Sequence, residues 1–339
     1  MIKERIGVST GTFIDFSDSI GDGKKIIGAR LKNDIYAPEI DRALKVAKDL
    51  GIGLELVYRV GIENILFDGS ERLKNRVLQI HGPVFVNTVD AIQQGIEEHR
   101  GGSLKGILLS AIQNPLIAQF ANGTLEGDWQ ATKALKRFLR VQNIVLHPWG
   151  ADVLSQKGFM SFRPGSATTI AIEPDFQRRK SAAHIIWETE KVKEIADRLG
   201  QGICLDTSHT VISYNSTDAL VKAYEAYKTS PKGVAAIHFS VAVPSDNRDD
   251  FFTKGTGALP LYNDPAIIPP SVRDVYREFY QGIMHDASFT GPLILEMWSF
   301  PKGGSFEDRR KAVEETLNVL EGSNEPPHSI SSPDSPTRR

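Results

Sequence analysis

Short apolar runs rich in β-branched side chains recur along this chain and alternate with stretches of helical periodicity. In order they are RIGVST, ending near Thr10, then IGLELVY, RVLQIH ending at His81, and QNIVLH ending at His147. TIAIE ending at Glu173, GICLD ending at Asp206, VAAIH ending at His238 and PLILE ending at Glu296 follow. Runs this short, bounded by turn or helix-end signals, read as buried parallel strands. Between them lie APEIDRALKVAKDLG, with Ile40, Leu44, Val46, Ala47 and Leu50 at helical spacing, and the amphipathic stretches SAAHIIWETEKVKEIADRLG, DALVKAYEAYK, SVRDVYREFYQGIMHDA and FEDRRKAVEETLNVLEG. Gly200 and Gly322 stand where helix C-caps belong. Eight strands in alternation with helices predict an α/β fold, the TIM (β/α)8 barrel.

Two places depart from a minimal barrel. The 65 residues between His81 and His147 leave room for a helical insertion between strands 3 and 4, around IQQGIEEH, LKGILLSAI and DWQATKALKRFL. A long Pro- and Asp-containing segment, PSDNRDDFFTKGTGALPLYNDPAIIPP, follows strand 7, and a loop of that length in a compact domain is usually functional. The barrel is expected over residues 1–322. The Ser/Pro-rich stretch 323–339 lacks the apolar residues of a core and is expected to be disordered.

Composition narrows the partners. With 40 basic and 42 acidic residues the net charge is −2, which advertises neither nucleic acid nor an anionic membrane. No stretch reaches the ~18 apolar residues of a membrane span and the start lacks a signal peptide, so the cytoplasm is the expected location. A single cysteine, Cys204, cannot form an internal disulfide and is expected in the core. Oligomeric state stays open, a homo-oligomer included.

The chemistry sits at the strand ends. Glu173, Asp206, His238 and Glu296 close four successive runs at intervals of 33, 32 and 58 residues, close to one βα unit, one βα unit and one unit with an insertion. In a closed β/α barrel the C-terminal ends of all strands open on one face, where active sites are built. Three carboxylates crowded there repel one another unless a cation or protons compensate. Carboxylate and imidazole donors together suit a divalent metal. The plain alternative for any one of the four is a solvated charge at the barrel rim.

LDTSH places Asp206 and His209 in a D-x-x-H pair just past strand 6, supported by His-x-Pro after strand 3 and His-Pro after strand 4. These residues resemble the xylose isomerase-like barrel superfamily, which includes sugar isomerases and epimerases as well as endonuclease IV-like members (AP endonuclease family 2). The resemblance spans roughly residues 5 to 320 and rests on strand-end residues. It implies one Mn, Mg or Co ion, or zinc in other members, held by Glu173, Asp206, His238 and Glu296. It further implies proton transfer by Glu173 and Glu296 through a metal-stabilised enediolate, with His209 on a substrate oxygen. The implied function is isomerisation or epimerisation of a sugar or sugar phosphate, a reaction of carbohydrate metabolism with a small-molecule sugar as partner.

Endonuclease IV-like members instead cleave a phosphodiester with a trinuclear zinc cluster. For that reading His81, His147 and His209 are further candidate ligands, while the expected D-x-H of the strand 7 loop meets Asp249 followed two residues later by Phe251, which cannot bind zinc. A third alternative is a barrel that binds a metabolite without turnover. Trp149 and Trp298 follow strands 4 and 8 and are candidates to wall a sugar ring, with packing as the plainer account. Arg163, Arg248 and Lys254 are candidates for a substrate phosphate, solvated loop charge being the alternative. Glu55 lies within strand 2, where it either orients a ligand or pairs with a neighbouring cation. His99, His184, His285 and His328 are expected to be surface or packing residues.

Overall fold

A computed structural model describes residues 3–13, 36–57, 73–82, 125–141, 143–147, 169–172, 189–245 and 257–322. Eight strands are present: β1 (Ile6–Ser9), β2 (Gly53–Val57), β3 (Val77–His81), β4 (Asn143–Leu146), β5 (Thr169–Ile172), β6 (Gly202–Asp206), β7 (Val234–Phe239) and β8 (Leu293–Leu295). They form a closed barrel in sequence order. Every neighbouring pair is parallel, and β1 against β8 shuts the ring with Ile6 opposite Leu293 and Val8 opposite Leu295. This is the (β/α)8 architecture expected from the alternation of runs.

Around the ring lie α1 (Tyr36–Leu50), α2 (Leu125–Leu139), α3 (Thr189–Leu199), α4 (Thr207–Tyr214), α5 (Ala219–Lys228), α6 (Pro270–His285) and α7 (Phe306–Leu320). The predicted helices at 37–51, 128–139, 218–228, 271–287 and 306–322 correspond to α1, α2, α5, α6 and α7. The stretch predicted from 181 onward is helical from Thr189, with 181–188 outside the described residues. Gly200 and Gly322 take φ of 62° and 66°, the left-handed conformation that ends a helix without steric cost. Ser305 and Asp308 close a reciprocal capping box at the start of α7.

Alternation along each strand sorts side chains into two cores. Ile6, Val8, Leu54, Leu56, Ile80, Ile144, Leu146, Ile203, Leu205, Ile237, Phe239, Leu293 and Leu295 pack outward against the helices in one large cluster. A separate small cluster, Val145, Ala171, Cys204 and Ala236, fills part of the barrel interior, and Cys204 is buried there as expected. Because the side-chain period is two, His147, Asp206 and His238 share the inward parity of Val145, Cys204 and Ala236. These three residues therefore stand one layer above that apolar cluster, at the mouth.

The far end of the barrel is clamped across its seam. The Arg5 guanidinium donates to the carbonyls of Gly291 (3.1 Å) and Phe289 (2.7 Å) and lies 4.8 Å from the centre of the Phe289 ring. The segment after β7 is packed where it is described: Leu259 bridges Val241, and Leu261, Tyr262 and Ile268 are buried. Residues 246–256 of that segment, the IQQGIEEH and LKGILLSAI stretches and the tail from 323 lie outside the described residues. Among the described residues no helix is long and apolar enough to cross a membrane.

Candidate metal centre

Strand register assembles the mouth. β6 and β7 pair with Asp206 opposite His238, and β7 and β8 with His238 opposite Ile294, which leaves Glu296 two residues further along and on the same face. On the other side β2 and β3 pair with Glu55 opposite Gln79 and Val57 opposite His81. Inward-facing residues of β3, β7 and β8 thus meet across the barrel.

His81, His238 and Glu296, all buried, each offer one ligand atom, and these atoms lie within 4.8 Å of one another. Ligands about 2.1 Å from a tetrahedral cation lie roughly 3.4 Å apart, so the widest pair of the trio draws together by up to about 1.4 Å to share one ion. The His238 Nδ1 lies 2.8 Å from Glu296 Oε2, and the rings of His81 and His238 stack with centroids 5.7 Å apart. The donor chemistry fits a divalent metal: two imidazoles beside a carboxylate, buried where unpaired charge is costly.

Beneath the trio lies a second buried carboxylate. Glu55 Oε2 accepts from His238 Nε2 at 2.8 Å and from Gln79 Nε2 at 2.6 Å. The two nitrogens are 3.0 Å apart and converge on the same oxygen. Burial pushes the Glu55 carboxyl up, but the charge and hydrogen bond of His238 outweigh it, with His81 and Gln79 adding, so its pKa is held below the ordinary carboxylate value. Glu55 Oε1 and Gln79 Oε1 are buried and have no hydrogen-bond partner among the described residues.

His81 is tied differently. Its Nδ1 lies 2.9 Å from the carbonyl oxygen of Gly82, so that nitrogen carries the proton and Nε2 keeps a lone pair to offer. Gly82 is itself required by close packing: a Cβ there would come 2.5 Å from Leu146 Cδ2 and 3.1 Å from the Val145 carbonyl oxygen. His147 is half-buried, with its ring centroid 5.2 Å from that of His81.

Asp206 stands outside the trio and serves the local backbone. It is the N-cap of α4: Oδ1 accepts from His209 N at 2.6 Å and from Ser208 Oγ at 3.0 Å. Oδ2 lies 3.7 Å from His209 Nδ1, bringing the D-x-x-H pair together at the start of the helix. Thr207 Oγ1 donates to the Ser240 carbonyl (2.6 Å) and accepts from Ser240 N (3.0 Å), which locks the end of β6 to the segment after His238.

Trp298 is 42 % exposed at the rim, and a Cβ on Gly11 would come 2.8 Å from its Cη2, so the indole lies close over the bare backbone of Gly11. Its backbone N–H donates to the Ala258 carbonyl. Glu173, Trp149, Arg163, Arg248, Asp249, Phe251 and Lys254 lie outside the described residues, as do His99, His184 and His328. His285 is bonded to its own helix through Gln281, on the surface as expected. Gln79 had no place among the sequence candidates; its signal was a polar residue at an inward position two before His81.

No protein-family model matches the chain, and no curated protein matches it. Its structure is similar to solved structures at low sequence identity. One is the IolI protein with a bound zinc atom, with 13 % identity, 94 % of this chain and 98 % of that chain covered and a TM-score of 0.49. Another is endonuclease IV from Thermus thermophilus, with 13 % identity, 94 % and 100 % covered and a TM-score of 0.49. A third is D-allulose 3-epimerase from Methylomonas sp. in complex with D-allulose, with 10 % identity, 95 % and 98 % covered and a TM-score of 0.47.

Proposed function

We propose that the chain is a divalent-metal-dependent isomerase or epimerase of a sugar or sugar phosphate, working at the C-terminal mouth of the barrel in the cytoplasm. The observation that carries this reading is the buried trio His81, His238 and Glu296, whose ligand atoms lie within 4.8 Å of one another. Glu173 and Asp206 complete the ligand set in this reading. Two imidazoles in the trio favour zinc, cobalt or manganese over magnesium.

A divalent cation held there supplies Lewis-acid polarisation of adjacent substrate oxygens. The protein's part is to place carboxylates beside the carbon that loses and regains a proton. Glu296, whose Oε2 lies 2.8 Å from His238 Nδ1, takes up and returns a proton. Glu173 is its counterpart on the opposite side of the substrate. His209 donates to a substrate oxygen, Trp298 and Trp149 wall the sugar ring, and Arg248 meets a phosphate where the substrate carries one.

The test is metal-loaded enzyme, a panel of ketoses, aldoses and their phosphates, and solvent deuterium. Deuterium entering the carbon next to the carbonyl, lost in Glu296→Gln, is expected. A full panel without exchange or interconversion overturns the reading. One observation favours a second reading, zinc-dependent phosphodiester hydrolysis: His147, His81 and His238 form a row of imidazoles with neighbouring centroids 5.2 and 5.7 Å apart, suited to a second cation. More than one zinc per chain and incision of an abasic-site duplex select that reading.

A further inference from the structure

His238 meets a different carboxylate at each of its ring nitrogens. His238 uses Nδ1 toward Glu296 and turns Nε2 toward Glu55, a carboxylate wholly buried below it. An imidazole has one proton when it binds a metal, and whichever nitrogen keeps it cannot be the ligand. A hydrogen-bonding partner on one nitrogen therefore decides which nitrogen serves the cation, and a carboxylate partner also raises the basicity of the other.

We propose that Glu55 and Gln79 form the positioning pair of this centre: Glu55 holds the His238 proton on Nε2 and directs the Nδ1 lone pair at the cation beside Glu296 and His81, while Gln79 fixes Glu55. This inference rests on the metal reading of the site and adds to it residues that touch neither cation nor substrate. Glu55 and Gln79 sit directly opposite each other on β2 and β3, where the register shifts between Leu54 and Glu55. The shift sets Glu55 against Gln79 and places its Oε2 below the His238 ring. Gln79 cannot turn its amide over, because its carbonyl oxygen would then face the Glu55 carboxylate at the 2.6 Å now held by its N–H. The acceptor is thus supplied with two donors, and the His238 ring is pinned from beneath.

The arrangement separates the two histidines of the trio. His81 is oriented by a neutral carbonyl, that of Gly82, whereas His238 is oriented by an anion. His238 is accordingly the stronger donor, and loss of Glu55 weakens the centre through it. The atoms at stake are inside the barrel, so the effect is separable from substrate contacts at the rim.

The experiment uses the full chain, stripped of metal and titrated with zinc against a chromophoric chelator, as wild type, Glu55→Gln and Glu55→Leu. Zinc affinity is expected to fall about 10–100-fold in Glu55→Leu and by less in Glu55→Gln, whose amide oxygen still accepts from Nε2. Melting temperature of the metal-free proteins is measured alongside, and the order of affinities is not expected to follow it. Wild-type zinc binding with unchanged affinity in both variants overturns the inference while leaving the metal site standing. A wild type that binds no zinc overturns both together.

Should Glu55→Leu fail to fold, nitrogen NMR of the zinc-loaded wild type labelled at histidine decides the matter. An exchange-protected imidazole Nε2–H that moves upfield in Glu55→Gln is expected. A proton on Nδ1 of that ring, or no protected proton, overturns the inference.

Discussion

Asp206 accepts the backbone N–H of His209 at 2.6 Å, so a carboxylate at the barrel mouth is also the N-cap of the helix that begins there. The two roles make different demands. A cap needs only an acceptor oxygen, which asparagine also provides, whereas a metal ligand needs the charge. Asp206→Asn is therefore expected to melt close to wild type and to bind metal more weakly. Asp206→Ala is expected to lose about 1 kcal/mol of stability as well. Thermal melts paired with zinc titration check this. Equal metal binding in wild type and Asp206→Asn would leave Asp206 with the cap alone.

One element near Asp206 escaped a reading of the sequence while its neighbours did not. Strand ends were legible because a parallel strand buried on both faces gives a short apolar run, and the polar residue closing it stands out. Helices with a full apolar stripe, such as α1 and α6, were legible for the same reason. The helix α4 follows β6 with no intervening loop, and TSHTVISY is too short and too polar at its start to show a stripe.

Glu55 was legible only as a polar residue with two open roles, and Gln79 was missed, on other grounds. Each lies inside an otherwise apolar stretch of strand, and the partner that gives Glu55 its meaning is 183 residues away on β7. Only closure of the barrel brings them together. The trio lies between these cases: His81, His238 and Glu296 each close a strand run, and closure of the barrel brings their donor atoms together.

Trp298 and Gly11 offer a test of the rim. A methyl group on Gly11 would reach within 2.8 Å of Trp298 Cη2 and 3.0 Å of Cζ2, so the indole must shift. Because the atoms met are the far end of a side chain 42 % exposed, Gly11→Ala is expected to cost little stability and to alter Trp298 fluorescence. If the indole walls the substrate, KM rises more than kcat falls. An unchanged KM alongside a displaced indole would remove Trp298 from the substrate site.

Tyr276 controls the chain just beyond His238. Its hydroxyl, wholly buried, accepts the Ala242 N–H at 3.0 Å, and burial pushes the phenol far above its ordinary pKa, so it stays neutral. The ring also packs edge-on against Phe239. Tyr276→Phe keeps the ring and orphans a buried N–H, which costs about 1–3 kcal/mol. Chemical denaturation should show that loss with an unchanged m-value, and zinc affinity should be little affected because Glu55 still holds His238. A variant as stable as wild type would mean that water or a backbone shift satisfies Ala242.

Acid should reveal the tie between α5 and α6. Asp286 Oδ2 accepts from Lys228 Nζ at 2.8 Å and from Tyr224 Oη at 3.1 Å, and Oδ1 accepts from Ser288 N and Oγ. The Lys228 hydrogen bond, followed by those of Ser288, holds the Asp286 carboxyl well below its usual value. The Tyr224 phenol is pushed up to about 12, by burial first and then by Asp286. A carboxyl depressed in the folded state contributes stability at pH above its unfolded value of about 3.9, and that contribution drains away as pH falls toward the folded value. Asp286→Asn should therefore melt below wild type at neutral pH, and the gap should narrow below about pH 4. The gap should be small throughout, since the pair faces solvent, and added salt should shrink it further. Melting curves of both proteins across the acid range measure it directly; a gap that holds constant into strong acid would assign the loss to the Ser288 turn geometry instead of to the charge.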